Sequence, residues 1–156
     1  MKRIYSYGFV LTFIWIGFLL AISFMEAPLK FQAPSVTTAI GVEIGKIVFK
    51  ALNALEIIFS MYFVLQIGYV YKLDKKLFVL IFFLFIIVMI QSIYLLPTLD
   101  RYADIVINGG SSPSKIAHIV YVIFEVVKLF LLFFVGFRQL SWFKKEIIAV
   151  YEKVVK

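Results

Sequence analysis

Charged and amide side chains lie within or directly beside long apolar stretches of this chain, and they are the residues best placed to do chemistry. A charge in hydrocarbon costs at least ~2.5–3.5 kcal/mol, so such side chains face the protein interior, pair with one another and mark ion or solute pathways. We therefore predict a polar cavity in the outer half of a membrane bundle. Its candidate residues are Glu26, Lys30, Glu43, Lys46, Lys50, Asn53, Glu56, Arg101, His118, Glu125 and Lys128.

A stripe of polar residues leads into the second apolar stretch. Glu43, Lys46, Lys50 and Asn53 follow one another at intervals of three, four and three residues, which places them on one face of a helix. Glu43 precedes Lys46 in the order that favours an ion pair along a helix. Glu56 lies three residues beyond Asn53, deeper among apolar residues.

The fourth apolar stretch carries a second set of ionisable residues. His118 and Glu125 are seven residues apart, so they share a helical face about 10.5 Å apart along the axis. Lys128 lies one turn beyond Glu125. Two interpretations remain open. Glu56 and Glu125 pair with Lys128 in a network that locks the helices, or these residues belong to an outward-opening cavity that binds or conducts an ion, a proton or a small polar solute.

The composition excludes several classes of chemistry. The chain contains no cysteine, which rules out a disulfide, a thiol nucleophile or a cysteine-bound metal within it. His118 is the only histidine, so one chain cannot supply two histidine ligands to a haem. The sequence contains neither a nucleophile-elbow motif nor a phosphate-binding glycine loop. We expect no metal site, no cofactor and no enzymatic activity.

Composition and run length predict the fold class. Of the residues, 63% are hydrophobic and 16% are charged, whereas soluble domains are about half apolar and about a quarter charged. Four apolar runs, at about 4–25, 45–71, 77–97 and 116–137, are long enough to cross ~30 Å of hydrocarbon as helices. We predict an all-α integral membrane protein with a four-helix antiparallel bundle over residues 1–137.

The distribution of lysine and arginine predicts the orientation of the bundle. Ten of the 16 lie at the amino terminus, between spans two and three or in the tail, whereas five lie in or beside the other two loops. Because cytoplasmic segments carry this excess, both termini are predicted to be cytoplasmic, in a plasma membrane or a bacterial inner membrane. The net charge of +7 then reflects contact with anionic lipid, and we expect no nucleic-acid partner.

Residues 138–156 form a predicted amphipathic tail. Leu140, Phe143, Ile147, Tyr151 and Val154 recur at helical spacing, with lysines on the flanks. This pattern predicts a cytoplasmic helix that lies in the interface of the lipid bilayer. A helix that docks onto a membrane-protein partner, or onto a second copy in a homo-oligomer, has the same pattern and is the alternative.

The two predicted outer loops echo each other. Each apolar run leads through an aromatic residue to a proline, a leucine, a base and a second aromatic residue: Phe24, Pro28, Leu29, Lys30 and Phe31 in one, and Tyr94, Pro97, Leu99, Arg101 and Tyr102 in the other. The echo indicates two helical hairpins in parallel repeat, with chance similarity as the alternative. Because proline lacks an N–H and ends helices, we predict that Pro28 and Pro97 stop spans one and three at the membrane surface.

Several of these positions resemble the transmembrane protein 205-like family, also described as domain of unknown function 4149. The matching residues are Ala27, Pro28 and Phe31 after the first span, Pro97 and Arg101 at the end of the third, and His118 at the start of the fourth. The resemblance covers most of the four-span region but not the tail. It implies a four-helix membrane protein without an established biochemical activity. In the fourth span the family has small residues and an asparagine, whereas this chain has Glu125 and Lys128.

Three functions remain open from the sequence. The leading one is a small multi-pass membrane protein whose outer-half cavity binds or passes an ion or a small solute. The second is an accessory or structural subunit of a larger membrane complex. The third and least favoured is a metal-dependent membrane enzyme built on His118 and the carboxylates.

Overall fold

Five helices make up the part of the chain described by the computed structural model, residues 8–155. They are α1 (Gly8–Gln32), α2 (Thr38–Val64), α3 (Ile67–Leu73), α4 (Lys75–Ile107) and α5 (Ile116–Val155). All except α3 are long and apolar enough to cross a membrane. The predicted fold class is confirmed: the chain is an all-α, multi-pass integral membrane protein. The predicted start of span one at Ile4 lies outside the described residues.

The four long helices form an antiparallel bundle in which each contacts two neighbours. α1 packs chiefly against α5, and α2 packs chiefly against α4. The turns at 33–37 and 108–115 lie at one end of the bundle, here called the hairpin end. The other end, called the terminal end, holds Gly8, α3 and the part of α5 that follows Arg138. The two hairpins are α1 with α2 and α4 with α5, so the first helix of each hairpin packs mainly on the second helix of the other.

Apolar side chains occupy both the inside and the outside of the bundle. Trp15, Leu19 and Leu132 are almost completely buried between the helices, whereas Phe83 and Phe130 point outwards and are well exposed. Lipid tails are as apolar as leucine, so an apolar exterior costs nothing in hydrocarbon and packing selects the interior residues. The bundle core is consequently distinguished by its buried polar residues rather than by its hydrophobicity.

The two prolines do not stop their helices as predicted. A π-helical segment precedes each one: Leu20–Glu26 before Pro28, and Gln91–Leu95 before Pro97. A proline ring in an α-helix clashes with the carbonyl four residues back, and the wider π turn moves that carbonyl away. The prediction for Pro97 is wrong, because α4 continues from it to Ile107. The helix ends at Ile107, and Gly109 just beyond it has a φ of +85°, in the left-handed region favoured by glycine.

Two other predicted boundaries differ from the structure. The second span ends at Val64, and the separate helix α3 then returns the fully buried Val70 to the core. The tail is not a separate helix, because α5 runs without a break from Ile116 to Val155. Just past Phe137, Gln139 is buried against α1 and accepts a 2.7 Å hydrogen bond from the Thr12 hydroxyl.

Asp74 ties the terminal end together. Its Oδ1 caps α4 by accepting hydrogen bonds from the backbone N–H groups of Lys76 and Leu77. On α5, Arg138 Nε and Trp142 Nε1 donate to Asp74 Oδ2 at 2.5 and 3.1 Å. Burial raises the pKa of the Asp74 carboxyl, but these hydrogen bonds and the arginine charge outweigh it and lower the pKa from 3.8 to about 2.

Substitutions of Asp74 separate its capping role from its charge. Asp74→Asn keeps a capping oxygen but loses the ion pair, whereas Asp74→Ala loses both. We expect the thermal midpoint in mild detergent at pH 7 to fall in the order wild type, Asp74→Asn, Asp74→Ala, with the cap contributing about 1 kcal/mol. Equal midpoints for the two variants would contradict a capping role.

The same carboxylate predicts a pH dependence. Because its pKa is lower in the folded protein than in the unfolded chain, the ionised form stabilises the fold above about pH 4, and this contribution is lost as the pH falls towards 2. The difference in midpoint between wild type and Asp74→Asn should therefore shrink over this range, as followed by circular dichroism. A constant difference would show that the charge of Asp74 contributes nothing.

Candidate functional site

Three ionisable side chains meet inside the bundle. Lys128 Nζ on α5 lies 2.5 Å from Glu56 Oε1 on α2 and 2.8 Å from Glu125 Oε1 on its own helix. All three residues are at most 2% exposed. These three residues are called the ion cluster below. Because an isolated charge at this depth would be strongly unfavourable, each member depends on the others.

Side chains from the other helices complete the ion cluster. Trp15 Nε1 on α1 donates to Glu56 Oε1 at 3.1 Å. Ser23 Oγ on α1 and Gln91 Nε2 on α4 each donate to Glu125 at 2.8 Å. Ser23 and Gln91 both belong to the π-helical segments, so the irregular turns deliver polar side chains to one carboxylate. The ion cluster thereby connects all four long helices.

Some buried polar atoms near the ion cluster make no hydrogen bond. They include Glu56 Oε2, Gln91 Oε1, Asn53 Nδ2 and the hydroxyl of Tyr121. Tyr121 lies one turn before Glu125 on α5 and is 2% exposed. Buried polar groups in folded proteins are normally paired, so this concentration of unpaired atoms distinguishes the site from ordinary packing.

A cavity of about 880 Å³ leads from the hairpin end to the ion cluster. All four long helices contribute to its wall, and Ser23, Tyr121 and Glu125 lie at its base. Most of the wall is apolar and partly aromatic, including Phe49 and Tyr102. Glu125 is therefore the member of the ion cluster that faces the cavity, whereas Glu56 and Lys128 lie behind it.

One wall of the cavity depends on a close approach of α1 to α2. The Phe31 ring lies directly on Gly41, where a methyl group would collide with it. Lys30 lies next to Gly45 one turn further along α2 and also pairs with Glu26 at 3.2 Å. This ion pair along one helix can form because α1 continues past Pro28 to Gln32.

The predicted stripe on α2 faces α4. Lys46 pairs with Asp104 at 2.5 Å, and Lys50 pairs with Asp100 at 2.8 Å. Nearer the ion cluster, Asn53 Oδ1 accepts a 3.0 Å hydrogen bond from the Ser92 hydroxyl on α4. The predicted pairing of Lys46 with Glu43 is not formed, because the longer α4 brings two carboxylates opposite the stripe.

The candidate residues divide into four groups. Lys30, Lys46, His118 and Glu125 line the cavity. Asn53, Glu56 and Lys128 lie buried beside its base, whereas Glu43, Lys50 and Arg101 are exposed. Glu26 is half-buried beside Lys30. Within residues 8–155, no three histidine or acidic side chains come together in a metal-ligating group, and His118 is exposed near the cavity mouth.

Sequence reasoning missed six residues that complete the site: Trp15, Ser23, Gln91, Asp100, Asp104 and Tyr121. The two aspartates were assigned to a loop because Pro97 was expected to end its helix. Their spacing of four residues, which matches that of Lys46 and Lys50, was the available signal. Ser23 and Gln91 are visible as polar residues inside apolar runs, five and six residues before the prolines.

A constant interval relates the two hairpins. It is 69 residues from Pro28 to Pro97, from Ser23 to Ser92 and from Glu56 to Glu125. Ser23 bonds to α5, and Ser92 bonds to α2, so each serine reaches the second helix of the other hairpin. Of the five positions in the sequence echo, only the two prolines keep this interval, and the parallel repeat stays a prediction.

Variants of the ion cluster test which carboxylate depends most on Lys128. Lys128→Met leaves two buried carboxylates without a cation and should cost ~3–5 kcal/mol of stability. Adding Glu56→Leu should recover most of this loss, because Glu125 keeps Ser23 and Gln91 as donors. Adding Glu125→Leu should recover less, since Glu56 then remains fully buried with Trp15 as its side-chain donor.

The measurement is the thermal midpoint of each variant in mild detergent. Val127→Met, on the exposed side of α5, is the matched control and should behave like wild type. The assignment fails if Lys128→Met is as stable as the control, or if neither double variant is more stable than Lys128→Met.

Comparison with known proteins gives no match to this chain: no family model, no curated protein and no solved structure is significantly similar. The resemblance to the transmembrane protein 205-like family therefore stays a prediction from six residues.

Proposed function

We propose that this protein binds a small solute in the cavity at its hairpin end, with Ser23, Tyr121 and Glu125 as the polar contacts. The observation that carries the proposal is the connection of a cavity of about 880 Å³ to a buried ion cluster. Solute sites in proteins are commonly apolar clefts of roughly 300–1,000 Å³ with a few convergent polar groups. Intramembrane ionisable residues commonly mark such pathways.

We favour binding over conduction. On the terminal side of the ion cluster, the interior is filled by a continuous hydrophobic core that includes Trp15, Phe59, Phe63 and Leu132. Trp15 also bonds to Glu56 and so covers the ion cluster from that side. This packing supports a site that opens at the hairpin end and is closed towards the terminal end.

We also infer that the site is not catalytic. The Glu125 carboxylate already accepts bonds from Lys128, Ser23 and Gln91, so it is held as a binding group rather than left available as a base. His118, the one imidazole, lies two helical turns away, or about 10.5 Å along the axis. These positions support recognition of a solute rather than its chemical conversion.

The proposed orientation places both termini in the cytoplasm and opens the cavity to the opposite side, in a plasma membrane or a bacterial inner membrane. Its support is the excess of lysine and arginine at the terminal end.

A second candidate function is that of a subunit in a larger membrane complex. The observation that favours it is the end of α5, where Ile147, Ile148 and Tyr151 are all more than half exposed. Copurification of one stoichiometric partner in mild detergent, lost in an Ile147→Ser, Tyr151→Ser variant, would support this function. Purification of the wild type without a partner would disfavour it.

Filling the cavity tests the leading proposal. Ala103 lines the cavity, whereas Ala54 is an exposed alanine on α2 outside it. A panel of cationic, anionic and neutral amphiphiles should include compounds that raise the thermal midpoint of wild type and of Ala54→Trp but not of Ala103→Trp. A ligand at 100 times its dissociation constant adds about 2.7 kcal/mol of stability. If no compound distinguishes the two variants, the cavity does not bind solutes of these classes.

Cysteine labelling tests the proposed orientation. Because the chain has no native cysteine, Ser35→Cys and Ser112→Cys each introduce a single thiol at an exposed position of the hairpin end. An impermeant maleimide should label both variants in intact cells. Labelling that requires opened cells or inverted vesicles would reverse the orientation.

A further inference from the structure

We propose that the cavity takes an organic cation, which places its positive charge against Glu125 and its apolar body against the aromatic wall. This inference rests on the proposed function, because it assigns the chemical class of the solute bound there. Four observations carry it: the charge count of the ion cluster, the pairing of three lysines nearer the hairpin end with carboxylates, an unpaired hydroxyl at the base and the composition of the wall.

The ion cluster contains one cation fewer than anions. Glu56 and Glu125 face a single lysine, and within residues 8–155 no other cation lies within ion-pair distance of either carboxylate. The remaining contacts from α1 and α4 are uncharged: Trp15, Ser23 and Gln91. A buried charge has to be compensated. The second positive charge is therefore either a proton or a cation that reaches Glu125 through the cavity.

Three lysines nearer the hairpin end are each paired with a carboxylate. Lys30 pairs with Glu26, Lys46 with Asp104 and Lys50 with Asp100. Lys115 and His118 lie at the exposed mouth of the cavity rather than at its base. The uncompensated charge that a solute meets at the bottom of the cavity is thus negative.

The base and wall of the cavity suit an organic cation better than a bare metal ion. The Tyr121 hydroxyl is buried, lines the cavity and makes no hydrogen bond, so it is available to a polar head group beside Glu125. Phe49 packs edge-on against the Tyr121 ring, with ring centroids 5.5 Å apart. Aromatic faces attract organic cations, whereas a metal ion needs several oxygen ligands in place of its hydration shell. Such a set is not assembled in the described part of the chain.

A pair of probe ions with the same shape and opposite charge tests the proposal. Tetraphenylphosphonium and tetraphenylborate are titrated into the purified full-length protein in lipid nanodiscs, with empty nanodiscs subtracted. Wild type should bind tetraphenylphosphonium in a saturable manner and more tightly than tetraphenylborate. Glu125→Gln should weaken tetraphenylphosphonium binding by about tenfold or more, which corresponds to about 1.4 kcal/mol.

A second variant distinguishes an effect of the net charge of the ion cluster from an effect of direct contact with the bound cation. Glu56 does not line the cavity, yet Glu56→Gln also leaves the ion cluster with equal numbers of acids and bases. It should weaken tetraphenylphosphonium binding as Glu125→Gln does, whereas Glu43→Gln, an exposed carboxylate outside the cavity, should have no effect. Both Gln variants keep a hydrogen-bonding amide and one ion pair with Lys128, and a thermal midpoint near that of wild type verifies their folding.

The cation proposal would be overturned by any of three results. Tetraphenylborate could bind as tightly as tetraphenylphosphonium or more tightly, both Gln variants could leave tetraphenylphosphonium binding unchanged, or neither ion could bind. The proposed function has its own test in Ala103→Trp. A neutral or anionic compound that stabilises wild type but not Ala103→Trp would leave the binding function standing and reject the cation.

Discussion

The contact of Lys128 with Glu56 and Glu125 is the interaction on which the rest of the bundle depends. Lipid offers no hydrophobic force that drives the helices of this protein together, so packing and buried polar contacts hold them. The ion cluster supplies such contacts to all four spans: directly to α2 and α5, through Trp15 and Ser23 to α1, and through Gln91 to α4. Because each charge would be strongly unfavourable alone, the helices can approach only in arrangements that keep these groups together. The ion cluster therefore specifies how the helices pack as well as stabilising their packing.

The two prolines, Pro28 and Pro97, contribute to this packing of the helices around the ion cluster. Each lies just beyond a π-helical segment, and π turns of this kind recur at functional sites. Here they rotate Ser23 and Gln91 towards Glu125 while allowing α4 to continue to Ile107. The extension of α4 then brings Asp100 and Asp104 opposite Lys50 and Lys46, which pairs both of these lysines with carboxylates beside the cavity. The π turns that accommodate the prolines therefore allow α4 to continue, and the continued helix supplies the carboxylates that pair with the lysines beside the cavity.

The spans, the fold class and the residues of the ion cluster could be read from the sequence, because hydrocarbon restricts where charges occur. The partners of those charges could not be read in the same way. Lys46 bonds across the bundle to Asp104 rather than along its helix to Glu43, a choice that depends on the length of α4 and hence on the π turn before Pro97. Asp74 was also missed, since a carboxylate among lysines in a predicted loop resembles a solvated turn. The spacing of residues along the chain predicts which of them share a helical face, but the packing of the helices determines which faces contact one another.

The most direct test of the central claim is whether a polar reagent from the hairpin end reaches the ion cluster. Ser23→Cys places a thiol beside Glu125 at the base of the cavity, and Ser60→Cys places one in the buried core outside it. We predict that a trimethylammonium methanethiosulfonate modifies the Ser23→Cys variant, and does so faster than its sulfonate analogue after correction for their reactivity with a free thiol. The Ser60→Cys variant should remain unmodified. An unreactive Ser23→Cys variant, or equal reaction of both variants, would contradict the account.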